Sequence, residues 1–335
     1  MISAFLSLIR YKELLLIAFL QLVIFLCVIK PLLATFGIVD PLPTHCFLLL
    51  MASTLCMWAA GRIVNDYFDT QIDAINRPDK VVVNVAFSKK TSIRIYQILA
   101  AAGLICGVIL AVIARSLTLA FIIIAMTGLL WFYSASYKRQ FLVGNVIIAA
   151  CFATAPFLVV FTEAAFLHIA YNSLIDFTPV IPTLVRWTGG YTVIAFVIIL
   201  MREIVNDCRD VEGDRELECH TMPVKWGILK SKIVVYGLIV LLLIMTYVAA
   251  STIRLQDASV VRYFLLGVLF PALFLAYLLY RAKTPAGFHQ VAVFLQFMLA
   301  VVFCYSFVFY FWLAKTYHLL YFGIFAILPP ATVSQ

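Results

Sequence analysis

The sequence predicts an all-α integral membrane bundle of nine transmembrane helices, arranged as a pseudo-repeat of two four-helix halves plus a ninth helix. Composition is the first of three observations behind this. Of 335 residues, 65% are hydrophobic and 12% charged, with mean hydropathy +1.07, whereas soluble domains are roughly 45–50% apolar. Second, the apolar residues gather in stretches of about 20, enough to cross a hydrocarbon core of about 30 Å. Third, the tract Ile63-Val64-Asn65-Asp66-Tyr67-Phe68-Asp69-Thr70-Gln71-Ile72-Asp73 recurs as Ile204-Val205-Asn206-Asp207-Cys208-Arg209-Asp210-Val211-Glu212-Gly213-Asp214. Both read I-V-N-D-x-x-D-x-x-x-D.

Open sheets do not exist in lipid, and unbroken apolar runs are not the alternating pattern of a membrane barrel, so the spans are helices. The first, near 13–37, is too long and too poorly flanked by small residues for a cleaved signal peptide, and it carries Lys30. It reads as a retained helix. The second, near 45–64, closes on the first acidic tract. Stretches near 93–114, 116–133 and 141–165 follow, and one near 190–206 closes on the second tract. Stretches near 231–251, 262–280 and 288–314 complete the count. Residues 1–315 read as one membrane domain, and 316–335 as a short apolar tail containing Pro329-Pro330.

Assigning each of the 24 Lys and Arg to its nearest loop places eighteen on the side of the N-terminus and only Lys30, Arg115, Arg186, Arg254, Arg262 and Lys315 on the other. By the positive-inside rule the N-terminus is cytoplasmic, and an odd number of spans puts the C-terminus outside. The net charge of +8 is thereby a topology signal rather than a nucleic-acid footprint. Eight cysteines form no C-x-x-C pair, and Cys208 with Cys219-His220 lacks a zinc-site spacing, so neither disulfides nor zinc are expected.

Four crossings separate the acidic tracts, so both emerge on the same, cytoplasmic, face. The repeat is parallel, with its axis along the membrane normal. If each helix continues through its motif, Asn65, Asp69 and Asp73 share one face, and Glu203, Asp207, Asp210 and Asp214 share another. Clustered carboxylates repel in a low-dielectric setting unless a cation sits among them. Mg²⁺ takes oxygen ligands and is commonly held by one or two carboxylates plus phosphate oxygens. Two facing stripes would clamp a Mg²⁺-diphosphate, with Arg77, Lys80, Arg209, Arg215, Lys138 and Arg139 as partners for the remaining phosphate oxygens. Solvated helix ends are one rival reading. A cation- or proton-coupled transporter is the other, although it predicts acids deep within spans rather than at one end.

These residues resemble the UbiA superfamily of intramembrane prenyltransferases, over nearly the whole chain. That family has nine helices, an N-D-x-x-D-x-x-x-D motif after helix 2 and a D-x-x-D-x-x-x-D motif after helix 6. Here these are Asn65, Asp66, Asp69 and Asp73, then Asp207, Asp210 and Asp214. Asn76-Arg77-Pro78-Asp79-Lys80, Gly144-Asn145 and the run Thr221 to Gly227 are further matches. The stretch from Asp73 to Lys80 is most similar to the geranylgeranylglycerol-phosphate geranylgeranyltransferase branch, with the chlorophyll-synthase type nearby. Three places depart from the family pattern. Tyr133 and Lys138 stand five apart where the family has Y-x-x-x-K, so either the loop carries an extra residue or Tyr137 substitutes. Arg10-Tyr11-Lys12-Glu13 replaces Arg-Pro-x-Asn, and Val81 to Val85 replaces a Pro- and Gly-bearing loop.

The resemblance implies transfer of a polyprenyl group, geranylgeranyl in this branch, from its allylic diphosphate to an amphiphilic acceptor such as geranylgeranylglycerol phosphate. A 4-hydroxybenzoate-like or chlorophyll-type acceptor is the alternative. It implies Mg²⁺ as two ions on Asn65, Asp66, Asp69, Asp73, Asp207, Asp210 and Asp214, and a catalytic set of Asp69, Asp73, Asp210, Asp214, Tyr133 and Lys138. The remaining substrate contacts are expected from Asn65, Arg77, Lys80, Arg209, Arg215 and Arg139. Tyr67, Phe68, Trp131, Phe132 and Tyr133 border the motif loops and are candidates to face a developing allylic cation. Arg10, Lys12, Lys89 and Lys90 are candidates for an acceptor phosphate. The expected setting is the cell, or inner, membrane, with membrane lipids as neighbours and no nucleic acid.

Overall fold

A computed structural model describes residues 2–78, 81–252, 258–323 and 325–326. Among them, nine helices are long and apolar enough to cross a membrane: Tyr11–Thr35, Thr44–Phe68, Lys89–Ile113, Leu117–Ala135, Val143–Phe177, Val180–Arg209, Ile228–Ala249, Val260–Arg281 and Pro285–Tyr317. In chain order these are spans 1 to 9. The all-α membrane bundle is the observed architecture. Arg254 and residues 327–335 lie outside the described residues, as does Lys80.

The bounds differ from the hydropathy reading most at spans 5 and 6. Span 5 runs past 165, as α-helix to Tyr171 and as 3-10 winding from Asn172 to Phe177. Span 6 begins at Val180, about ten residues ahead of the apolar run. Polar residues interrupt the hydropathy there without interrupting the backbone. His168, for instance, reaches Ala164 O and Asp176 Oδ1, both at 2.8 Å, and so finds its partners locally.

Helix starts follow capping chemistry. Ser88, Ser116 and Thr284 each accept, on the side-chain oxygen, the backbone N–H three residues on, which satisfies a donor that the first turn leaves unpaired. Spans 1 and 8 loosen into π winding at Phe25–Ile29 and Phe264–Leu269. A proline follows each, Pro31 and Pro271. Proline lacks an N–H, so a carbonyl in the preceding turn loses its α-helical donor and the ladder shifts.

Polar side chains tie the spans inside the greasy core. Gln21 of span 1 donates to Ala155 O of span 5 at 2.9 Å and accepts from Thr54 Oγ1 of span 2 at 3.0 Å. Ser53 donates to Gly103 O, joining spans 2 and 3. Such interhelical bonds contribute about 0.6 kcal/mol each on average. All eight cysteines are free. After span 9, Leu320-Tyr321 pairs antiparallel with Phe325-Ala326, a ladder too short to alter the class.

Candidate active site

Spans 2 and 6 end the same way. Span 2 stops at Phe68 and span 6 at Arg209, and the next residue is Asp69 at φ −89°, ψ 5° or Asp210 at φ −97°, ψ 12°. Both sit in the bridge region between helical and extended backbone. New short helices then begin, Thr70–Asn76 and Val211–Glu216. Backbone bonds cross the two bends alike. Asp69 N to Asn65 O and Asp210 N to Asn206 O are both 2.9 Å, while Asp73 N to Asp69 O is 2.8 Å and Asp214 N to Asp210 O is 3.1 Å. This corrects the expected unbroken stripe: each motif is a helix end, a bent aspartate and a new helix start, with i to i+4 bonds surviving the bend. Neither bent aspartate caps the helix it opens; its carboxylate goes to a cation instead.

The two motifs meet at one mouth of the bundle. Asn76 is the joint: its Nδ2 donates to Asp210 O and its Oδ1 accepts from Gly213 N, both at 2.9 Å. Gly213 has to be glycine for that approach, because a Cβ there would stand 2.6 Å from Asn76 Nδ2. Arg77 spans the same gap, with Nη2 2.8 Å from Asp73 Oδ1 and 3.4 Å from Asp210 Oδ2. The loop after span 4 closes the third side, where Lys138 pairs with Asp69 Oδ2. Gly144 lets that loop pack down, since a Cβ there would be 2.7 Å from both Lys138 Cα and Tyr137 O.

Each motif carboxylate thus has a partner. Asp69 also accepts from Asn65 Nδ2 at 2.7 Å, and Asp66 from Arg10 Nη2 at 2.6 Å. Asp207 accepts from Asn145 Nδ2 at 2.7 Å, and Asp214 from Thr221 Oγ1 at 3.0 Å. Asp210 is held by both Nε and Nη2 of Arg209, at 2.8 and 2.7 Å. Burial pushes the Asp214 carboxyl up to about 6, and it pushes Asp69 up as well, against the pull of Lys138. Burial acts the same way on Asp210, but Arg209 and Arg77 outweigh it and hold the group below its ordinary value. Burial disfavours the charged Lys138, yet Asp69 beside it keeps the ammonium well above the ordinary lysine range.

Other expected residues fall less centrally. Arg139 and Arg215 are exposed and outside every ion pair among the described residues. Tyr133, not Tyr137, is the buried tyrosine. It lines a small cleft with Trp58, Arg62 and Asn65, while Tyr137 stands against Phe132. Tyr67, Phe68 and Trp131 contact one another edge-on in a chain that continues to Tyr96. Phe132 is largely exposed.

Glu203 is the clearest correction to the stripe: it turns from the acids toward Arg202. It ends a buried chain of charge that the sequence reading did not assemble. Arg62 Nε meets Glu13 Oε2 at 2.7 Å, Glu13 Oε1 meets Arg202 Nη2 at 2.6 Å, and Arg202 Nη1 meets Glu203 Oε1 at 2.8 Å. The available signal was position, because Glu13, Arg62, Arg202 and Glu203 all lie within apolar spans, where charge is costly and rarely without purpose.

A divalent cation fits this donor set. Asn65 Oδ1 is a buried oxygen with no hydrogen-bond partner, on the side chain whose Nδ2 donates to Asp69. No three acidic, His or Cys side chains among the described residues stand close enough to hold an ion unaided. Mg²⁺ there would complete its shell from phosphate oxygens and water, as it commonly does.

Fold and mouth together define a class: polytopic helical membrane proteins with paired acidic motifs at one end of the bundle. A model of the UbiA prenyltransferase family matches residues 22–287, taking in both motifs, and the chain belongs to that family. A digeranylgeranylglyceryl phosphate synthase of Methanoregula boonei is 30% identical over 190 residues, 57% of this chain and 60% of that relative. The matched region is thus under two thirds of the relative's length. A UbiA homolog from Aeropyrum pernix K1 has TM-score 0.63 at 13% identity, over 92% of this chain and 97% of that one. Another from Archaeoglobus fulgidus, bound to DMAPP and Mg²⁺, has TM-score 0.53 at 15% identity, over 89% and 98%. At these identities the likeness is one of fold.

Proposed function

We infer that the chain transfers a prenyl group, geranylgeranyl, from its allylic diphosphate to an amphiphilic alcohol of the geranylgeranylglycerol phosphate type within the membrane. The observation that carries this is the pair of equally bent acidic motifs meeting at one mouth, with Lys138, Arg77 and Arg209 among their carboxylates. Family membership supports prenyl transfer, and relatives named as digeranylgeranylglyceryl phosphate synthases support the acceptor. A homolog bound to DMAPP and Mg²⁺ supports the donor chemistry.

In this reading Asn65, Asp66, Asp69 and Asp73 of the first motif and Asp207, Asp210 and Asp214 of the second would hold two Mg²⁺. Bound there, Mg²⁺ supplies Lewis-acid stabilisation of the departing diphosphate. Lys138, Arg77 and Arg209 exchange carboxylate oxygens for phosphate oxygens, and the exposed Arg139 and Arg215 lie toward the rim. The bond between the allylic carbon and the diphosphate oxygen breaks, its electron pair leaving with diphosphate. The acceptor oxygen bonds to that carbon, and its proton passes to a carboxylate at the mouth. The surrounding spans keep out water, which would otherwise capture the allylic cation, and Tyr133 offers its ring to the developing charge. The Lys and Arg excess supports a cytoplasmic mouth, with residues 1–315 working as one domain.

The test is purified protein with Mg²⁺ and radiolabelled geranylgeranyl diphosphate, offered geranylgeranylglycerol phosphate, 4-hydroxybenzoate or dihydroxynaphthoate singly. Label moving to the glycerol phosphate lipid is the expected result. Label moving only to an aromatic acid replaces the acceptor, and no transfer to any of the three leaves the transporter reading standing.

A further inference from the structure

Glu13 belongs to neither motif, yet both motif-bearing spans meet on it. Arg62 and Glu203 each stand one residue before an I-V-N-D tract, so they occupy equivalent places in the repeat and carry opposite charges. Glu13 and Arg202 fill the space between. The order across the bundle is Arg62, Glu13, Arg202, Glu203, alternating in sign and summing to zero, with every member more than nine-tenths buried at 5%, 6%, 8% and 7% exposure.

Span 2 packs chiefly on span 3, and span 6 chiefly on spans 5 and 9. Spans 1 and 5 pack apolar surface against both, and the charged connection between the two motif spans is this polar chain. Without the Glu13 charge, Arg62 loses its carboxylate and Arg202 keeps only Glu203, and like charges at low dielectric repel strongly. The strain passes directly to the motifs. Arg62 lies one turn before Asn65 and Asp66, and Asn206 Nδ2 reaches Glu203 Oε1 at 3.4 Å. Arg10, a turn ahead of Glu13 in span 1, holds Asp66 at 2.6 Å.

We propose that Glu13 is a positioning residue: as the shared counter-ion of Arg62 and Arg202, it sets the spacing of spans 2 and 6, and with it the distance between the two acidic motifs. This rests on the diphosphate reading of the mouth. Glu13 acts through the motif residues and touches no reacting atom.

The test is a binding measurement that needs no turnover. The full chain in detergent is titrated with Mn²⁺ in the presence of inorganic pyrophosphate, and free Mn²⁺ is followed by electron paramagnetic resonance. Glu13→Gln is expected to weaken binding by about 10–100-fold, the range for partners that orient metal ligands, while circular dichroism stays that of the folded protein. Adding Arg62→Gln restores neutrality and recovers most of the loss, and Glu13→Asp, with its charge on a shorter stem, falls between. A folded Glu13→Gln with unchanged affinity overturns the Glu13 role alone, and so does a folded double variant no better than the single one. If Glu13→Gln does not fold, the double variant decides: folding with affinity within about tenfold of the unsubstituted protein supports the role, and failure to fold overturns it. Absence of binding by the unsubstituted protein overturns the diphosphate reading and the Glu13 role with it.

Discussion

The two motifs share a backbone and differ in how their charges are answered. Asp69 and Asp210 bend the chain alike, but Asp69 is 3% exposed and draws its cation from the loop after span 4. Asp210 is gripped by its own neighbour Arg209 and by Arg77 from the first motif's loop. One half is thus completed by a distant element and the other by local arginines. The two copies share the turn that presents a carboxylate and differ in the source of the balancing charge. The halves are alike in shape and unequal in dependence on the rest of the bundle.

The largest expected effect tests that inequality. Asp69→Asn and Asp210→Asn should each reduce diphosphate release on the order of 10²- to 10³-fold, the size of a lost preorganised electrostatic contact. Both should also lower the melting temperature in detergent, because Asp69→Asn strands Lys138 and Asp210→Asn strands Arg209. Each costs about 2–3 kcal/mol, somewhat under the 3–5 kcal/mol of a fully buried broken pair. Removing the stranded cation should tell them apart: Lys138→Met should restore stability to Asp69→Asn and Arg209→Met to Asp210→Asn, and a melting temperature unmoved by either would erase the distinction. Gly144→Ala comes next: its Cβ meets backbone atoms of Tyr137 and Lys138 at 2.7 Å, and shifting Lys138 by about 1 Å should lower kcat/KM by up to about 10²-fold.

Gly213→Ala should be milder, because its Cβ meets a side chain that can yield, Asn76 Nδ2 at 2.6 Å. A loss of about tenfold in kcat/KM is expected, and a double-mutant cycle with Asn76→Ala should be non-additive, as for residues in direct contact. Strict additivity would mean that the joint between the motifs does not set their geometry. Smallest of all, Arg139→Ala and Arg215→Ala should stay within about 0.5 kcal/mol of the parent stability, as exposed substitutions usually do, with turnover little changed. A large loss of turnover in either would move the grip on diphosphate outward to the rim.

Much of this was legible in the chain. The spans announce themselves by hydropathy, since lipid requires a nearly unbroken apolar run, and two motifs of identical spacing place their aspartates at equivalent positions. Their bends were not legible: a helix pattern through Asp69 or Asp210 satisfies the i to i+4 spacing equally well whether the backbone bends or not. Asn76 with Gly213 was hidden for another reason, since a side chain bonding the backbone 137 positions away leaves no local periodicity. The buried charges fared similarly. Arg62 and Arg202 were counted toward topology, where a positive charge near the cytoplasmic end of a span is unremarkable, and their common dependence on Glu13 exists only once three spans are assembled.

The loosened turn at Phe25–Ile29 governs how span 1 can change in length. A π turn holds one residue more than the α turn that could replace it. Deleting one residue there would close the π turn to an α turn and leave the two flanking stretches in phase. A deletion between Glu13 and Ile24, in the α-helical part, would instead swing everything before it by about 100° relative to everything after it, carrying Arg10 off Asp66 and Glu13 off both arginines. The loosened turn is therefore a place where span 1 can lose a residue and keep its phase.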